Sequence, residues 1–244
     1  NPVFDVAFLE ATFVPDGDVL TLDFVISSEE YPEYINSTFL DSVGIWINGS
    51  QATVSVGNGQ VSVGNINGNT AANLYNDTTG DQFNTEMDGF TVTMTLTFPV
   101  NSGELNSIRI GIADVVDSQY DSNLLIAGDS VQTTLIANDD SSNLFPDGTK
   151  TLGLLANDSN GTGGTLTITH LNGQAVSAGD TVTLATGQQV TLNADGTVTL
   201  VGDGDVEEFN FTYEVASSTG QSDVGFVNVD SVPCFAAGTR LSTP

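Results

Sequence analysis

Apolar and polar residues alternate along much of the chain. Val19-Leu20-Thr21-Leu22-Asp23-Phe24-Val25-Ile26, Thr91-Val92-Thr93-Met94-Thr95-Leu96-Thr97-Phe98 and Val190-Thr191-Leu192 are the clearest runs. Successive side chains of a strand point to opposite faces, so this period of two predicts half-buried strands. No stretch carries a sustained helical period. Asp16-Gly17, Asn48-Gly49, Asp88-Gly89, Asn172-Gly173 and Asp195-Gly196 punctuate the pattern. Such pairs tolerate positive φ and favour tight hairpin turns. The expected fold class is all-β, built as packed sheets.

Taken in order, the pattern predicts strands over Phe4 to Phe13 and Val19 to Ile26, joined through Pro15-Asp16-Gly17. A strand over Val43 to Ile47 should end at Asn48-Gly49, with Trp46 in the core. Residues 57 to 85, rich in Asn, Gly, Thr and Asp, are expected as long loops. Strands resume at Phe90 and run to Ala127. Ala137-Asn138-Asp139-Asp140 is a polar junction, so 1–134 and 135–231 are expected as separate units. The first is expected as a jelly-roll-like β-sandwich and the second as a smaller antiparallel β-sandwich. In the second, Phe209, Phe211, Tyr213 and Val215 alternate and should give one core face.

Charge narrows the function. Three basic residues stand against 31 acidic ones in 244 residues, a formal charge of −28. Nucleic acids and anionic membranes need basic patches and are excluded as partners. Divalent cations or salt would relieve the self-repulsion. One cysteine, Cys234, rules out an internal disulfide framework, which leaves metal ions as staples for a secreted fold. No membrane-inserting run is present. The abrupt ends at Asn1 and Pro244 are read as cuts from a longer chain.

Asp114, Asp117 and Asp121 fall within eight residues, with Ser and Gln between them. Two carboxylates about 4 Å apart repel by roughly 4 kcal/mol at an effective dielectric of about 20. Either a hard cation such as Ca²⁺ joins them, or the loop is simply solvated. Catalysis finds little support. His170 is the only histidine, Trp46 the only tryptophan, and no phosphate loop appears. The expectation is a protein that is not an enzyme.

Phe24-Val25-Ile26-Ser27-Ser28-Glu29-Glu30-Tyr31-Pro32-Glu33-Tyr34, Glu86-Met87-Asp88-Gly89-Phe90-Thr91 and Ile112 to Ser122 together resemble the choice-of-anchor L family. The resemblance covers about residues 4 to 131 and implies a secreted bacterial surface module. The family usually has further sequence upstream of Phe4, which would leave a sheet edge open here. With that resemblance, Glu29 and Glu30, with Glu33 beside them, are expected to face Asp114, Asp117 and Asp121 across a calcium site. Solvation is the competing reading for Glu33 and Asp41.

Leu154-Leu155-Ala156-Asn157-Asp158-Ser159 and the strands to Val215 resemble the cadherin-like or Ig-like repeats of bacterial adhesins, over residues 136 to 230. Those modules often hold Ca²⁺ at their junctions. A second calcium site is therefore expected at Asn138, Asp139 and Asp140, with Asp158 or Asp205. Cys234-Phe235-Ala236-Ala237-Gly238-Thr239-Arg240-Leu241 looks like the opening of a Hint autoprocessing domain. There Cys234 would be the nucleophile, inactive without the rest of that domain. The expected role is a calcium-stabilised structural or adhesive module at the bacterial surface. The alternatives are a fibre subunit that exchanges strands with its own copies, and a glycan-binding module using residues 57 to 85.

Overall fold

A computed structural model of the chain describes residues 3–54, 59–116 and 119–232. Nearly all regular structure is strand. The first half holds β1 (Val3–Phe13), β2 (Val19–Ser28), β3 (Ser42–Ile47), β4 (Ser50–Gln51), β5 (Val61–Ser62), β6 (Tyr75–Asp77), β7 (Gly89–Thr91), β8 (Met94–Pro99), β9 (Asn106–Val115) and β10 (Ser122–Ile126). One sheet runs β1-β9-β3-β4, with β5 also on β3, and the other runs β10-β2-β7-β6, with β8 also on β2. Alternation explains the core between them. Leu20, Leu22, Phe24 and Ile26 of β2 meet Ile45 and Ile47 of β3 and Ile108 and Ile110 of β9 in one apolar cluster. Asn48 and Gly49 both have positive φ and turn β3 into β4, as the Asn-Gly pair requires.

The second half holds β11 (Leu135–Ile136), β12 (Asp140–Leu144), β13 (Thr149–Leu152), β14 (Ser159–Asn160), β15 (Leu166–Leu171), β16 (Gln174–Ala175), β17 (Thr181–Thr183), β18 (Gln189–Leu192), β19 (Val198–Val201), β20 (Glu208–Ser217) and β21 (Ser222–Ser231). Its sheets run β12-β21-β20-β15-β16 and β13-β19-β18-β17, with β11 paired to β14 apart from them. Phe209, Phe211, Tyr213 and Val215 face Val190, Leu192, Val198 and Leu200 in a second cluster, as their alternation predicts. One pairing departs from the antiparallel expectation. β12 runs parallel to β21 along Asp140↔Val227 to Leu144↔Ser231, because a long crossover lies between them.

Three sequence expectations need correcting. Trp46 is not core: Ile45 and Ile47 point inward and Trp46 lies half-buried on the opposite face of β3. Residues 57 to 85 are more than loop, for Val61, Ile66 and Leu74 close the first core. β2 is covered on both faces. Thr21 and Asp23, on the side opposite Leu20 and Leu22, are buried because the second half packs there. Phe226 of β21 joins the first core's cluster, and Asn73 bonds Thr186 and the Asn210 carbonyl.

That seam buries two carboxylates. Asp23 is 5% and Asp223 0% exposed. The Ala137 amide donates to Asp223 Oδ2 at 2.7 Å, and Thr95 Oγ1 to Oδ1 at 3.5 Å. Asp23 Oδ1 has no partner. β1, by contrast, bonds only β9 among the described strands, and its residues from Val3 to Thr12 are exposed. Among the described residues no helix is long and apolar enough to cross a membrane.

Candidate metal centre

The polar junction between the two cores gathers residues as far apart in sequence as Asp139 and Phe226, 87 positions. The turn Leu154–Ala156 delivers Asn157 and Asp158 against Asn138 and Asp139. The Asn138 amide donates to Asp158 Oδ1 at 2.9 Å. The hydroxyl of Tyr213, from the middle of β20, donates to the same oxygen at 2.8 Å and to the Asn138 carbonyl at 3.1 Å. The Asn157 amide group donates to the Asp139 carbonyl at 3.1 Å, and the Phe226 amide donates to Asp139 Oδ1 at 3.2 Å. The backbone and one tyrosine thus orient the acidic groups.

Two oxygens are left over. Asp140 Oδ2 and Asp158 Oδ2 are buried and have no hydrogen-bond partner among the described residues. Burial, then the charges of Asp158 and Asp139, push the Asp140 carboxyl up to about 7. Burial raises Asp158 as well, against the lowering effect of its Tyr213 and Asn138 bonds. Burial and the Asp158 carboxylate push the Tyr213 hydroxyl far above its ordinary range, so it stays a donor. Lys150 does not neutralise the group; its ammonium donates to the Asn143 carbonyl at 3.0 Å. A buried carboxylate oxygen without a partner costs several kcal/mol, on the order expected for an unsatisfied charged group. A hard cation would remove that cost, and the groups gathered there offer oxygen: two carboxylates and the backbone carbonyls of Asn138 and Asp139. Among the described residues no three of His, Cys, Asp and Glu stand close enough to hold an ion together. Carbonyls and water would complete the coordination.

Of the predicted junction residues, Asn138, Asp139 and Asp140 are all present, and Asp158 is the fourth. Asp205 is not. It is exposed, and its carbonyl accepts from Ser231, which stands beside Leu144 at the far end of β12. Tyr213 was legible only as a core residue. Its position in an apolar row conceals that its hydroxyl reaches a carboxylate.

The first half gathers acids at the ends of β2, β9 and β10. The Glu29 amide donates to the Asp121 carbonyl at 3.1 Å, and the Asp121 amide to Glu29 Oε2 at 3.1 Å. Glu30 Oε2 accepts from the Asp41 amide at 2.9 Å, and Asp41 Oδ1 from the Val115 amide at 3.2 Å. Glu30, Asp41 and Asp114 are all buried, so Asp41 is part of the cluster, whereas Glu33 is exposed. Glu29 therefore approaches Asp121, while Glu30 connects through Asp41 to the strand carrying Asp114. Asp117 and Cys234 lie outside the described residues.

Comparison with known proteins gives one family. The choice-of-anchor L domain matches residues 1–132. No protein of curated function matches the chain. Among solved structures, a protein described as membrane-anchored from Corynebacterium diphtheriae is 10% identical. The match covers 98% of this chain and 52% of that one, with a TM-score of 0.22, too slight a likeness to bear on the fold. This chain spans about half the length of that protein.

Proposed function

The chain belongs to the choice-of-anchor L family, and from that premise we propose that it is a calcium-stabilised structural or adhesive module of a bacterial cell-surface protein. The family match supports the surface setting. The observation that carries the calcium is the pair of buried, unpartnered oxygens on Asp140 and Asp158, at the junction of two apolar cores. Asp140, Asp158 and the carbonyls of Asn138 and Asp139 would hold the ion. The ion would supply charge neutralisation and a rigid link between the strands that leave each core. Titration calorimetry tests this. Binding with a dissociation constant of roughly 0.1–1 mM, in the range of extracellular calcium modules, that is lost in Asp158→Asn supports it. Equal heats in the two proteins contradict it. The Hint reading at Cys234 rests on its motif alone and would be tested by thiol-dependent cleavage in a chain that carries a full Hint domain after Cys234.

A second reading has its own observation. β1 is an eleven-residue edge strand whose Val3, Phe4, Val6, Phe8 and Leu9 are all exposed. Beyond the irregularity between Phe4 and Ala7, the edge from Ala7 to Phe13 carries no lysine or proline and would accept a further strand. A fibre subunit that takes its neighbour's strand fits this edge.

A further inference from the structure

The outward face of the β1-β9-β3 sheet is built in a way that core packing does not call for. Glycine in the interior of a strand weakens it and often marks a place where something must approach closely. Here two glycines face each other, Gly44 of β3 opposite Gly111 of β9, with Phe8 of β1 next in the same row. In the adjacent row stand Glu10, Arg109, Trp46 and Gln51.

The side chains of the second row lean over the first. The indole of Trp46 lies across Gly44, so a Cβ at that position would meet Cζ3 at 2.7 Å and Cζ2 at 2.9 Å. The Arg109 guanidinium lies 4.6 Å from the centre of the Phe8 ring and pairs with Glu10 at 3.4 Å. Gly111 is left as a bare floor between the two aromatic groups, with Phe8 Cβ and Trp46 Cζ3 each 3.8 Å from where its Cβ would be. The same residues, with Gln51 and Gln60, are among those that line a concave region beside this face. The result is a flat indole and a phenyl ring separated by backbone, bordered by planar donors and acceptors.

We propose that this groove binds a neutral pyranose glycan, with Trp46 and the face of the Phe8 ring turned away from Arg109 as stacking surfaces, and Arg109, Glu10 and Gln51 bonding the hydroxyls. The apolar C–H face of a pyranose stacks on an aromatic ring while its equatorial hydroxyls reach planar polar groups at the rim. Aromatic floors with a few placed polar groups are the common form of small-ligand sites. Charge selects the class of glycan. A protein of formal charge −28 repels uronate and sulfate polymers, and the one cation among the described residues of the groove is already paired with Glu10. A neutral sugar meets no such barrier. This site is separate from the calcium junction and does not depend on it.

Trp46 is the only tryptophan, so it reports directly on its own ligand. Its emission is followed while cellohexaose, laminarihexaose, maltohexaose or mannohexaose is added, with polygalacturonate as the anionic comparison. A saturable change with at least one neutral hexasaccharide, and none with polygalacturonate, is expected. Phe8→Ala keeps the reporter and alters a 59% exposed side chain, so it should fold normally and bind roughly tenfold more weakly. Gly44→Val should displace the indole and weaken binding as much. No response to any neutral probe overturns the proposal. So does unchanged binding in both variants, or preferential binding of polygalacturonate.

Discussion

Asp23 and Asp223 approach each other in the seam, and among the described residues no cation lowers either carboxyl. Burial is the largest cause of their shifts, raising Asp23 from 3.8 to about 7 and Asp223 from 3.8 to about 8. Between about 4 and 8 the folded protein therefore holds protons that the unfolded chain has released. Stability falls as pH rises across that window, and the loss is complete above the folded values. The melting temperature should drop between pH 5 and pH 8. Asp223→Asn should flatten that slope and stabilise the protein at pH 8, by an amount on the order of 1–3 kcal/mol. An unchanged slope would show that the pair is not buried as described. Tyr213 offers a second test. Tyr213→Phe keeps the ring in the core and removes the donor to Asp158, which should cost about 1–3 kcal/mol without calcium. Thermal melts in chelator measure it, and a loss below a few tenths would contradict the role of the hydroxyl.

At the scale of strands, parity was legible and partnership was not. The alternation of β2 placed Leu20, Leu22, Phe24 and Ile26 on one face, where they are. It could not show that Thr21 and Asp23 on the other face would be covered, because that depends on how the second half packs. β3 carried a signal that composition obscured. Val43, Ile45 and Ile47 share one parity and Gly44 and Trp46 the other, so the tryptophan belonged outside. Asn138, Asp139 and Asp140 were legible as a polar junction. The arrival of Asp158 was less so, since its place depends on the bonds of Asn138 and Asn157. β1 makes a prediction at this scale. Edge-to-edge association of two chains is opposed by −28 on each and should grow with ionic strength as that repulsion is screened. Sedimentation velocity at low and high salt would detect it. Leu9→Lys, a charge on the open edge, should abolish it. A monomer under all conditions would remove the fibre reading.

For the molecule as a whole, two sandwiches share a seam and a junction, and each concentrates acid where water is scarce. With few basic side chains in the sequence to neutralise these groups, protons do so in the seam, and the proposed calcium ion would do so at the junction. Calcium at the junction would tie the strand leaving the first core to β12 and to the centre of β20 at once. On the proposed reading, the junction would be the point where ion binding and the stiffness of a surface module meet.

The most direct test is scanning calorimetry of the whole chain in excess calcium and in excess chelator, beside Asp158→Asn. Calcium at about 100 times its dissociation constant stabilises a one-site protein by about 2.7 kcal/mol, which for this size corresponds to a rise in Tm of roughly 5–10 °C. The account predicts that rise for the native sequence and little or none for Asp158→Asn. A Tm that is the same with and without calcium would contradict it.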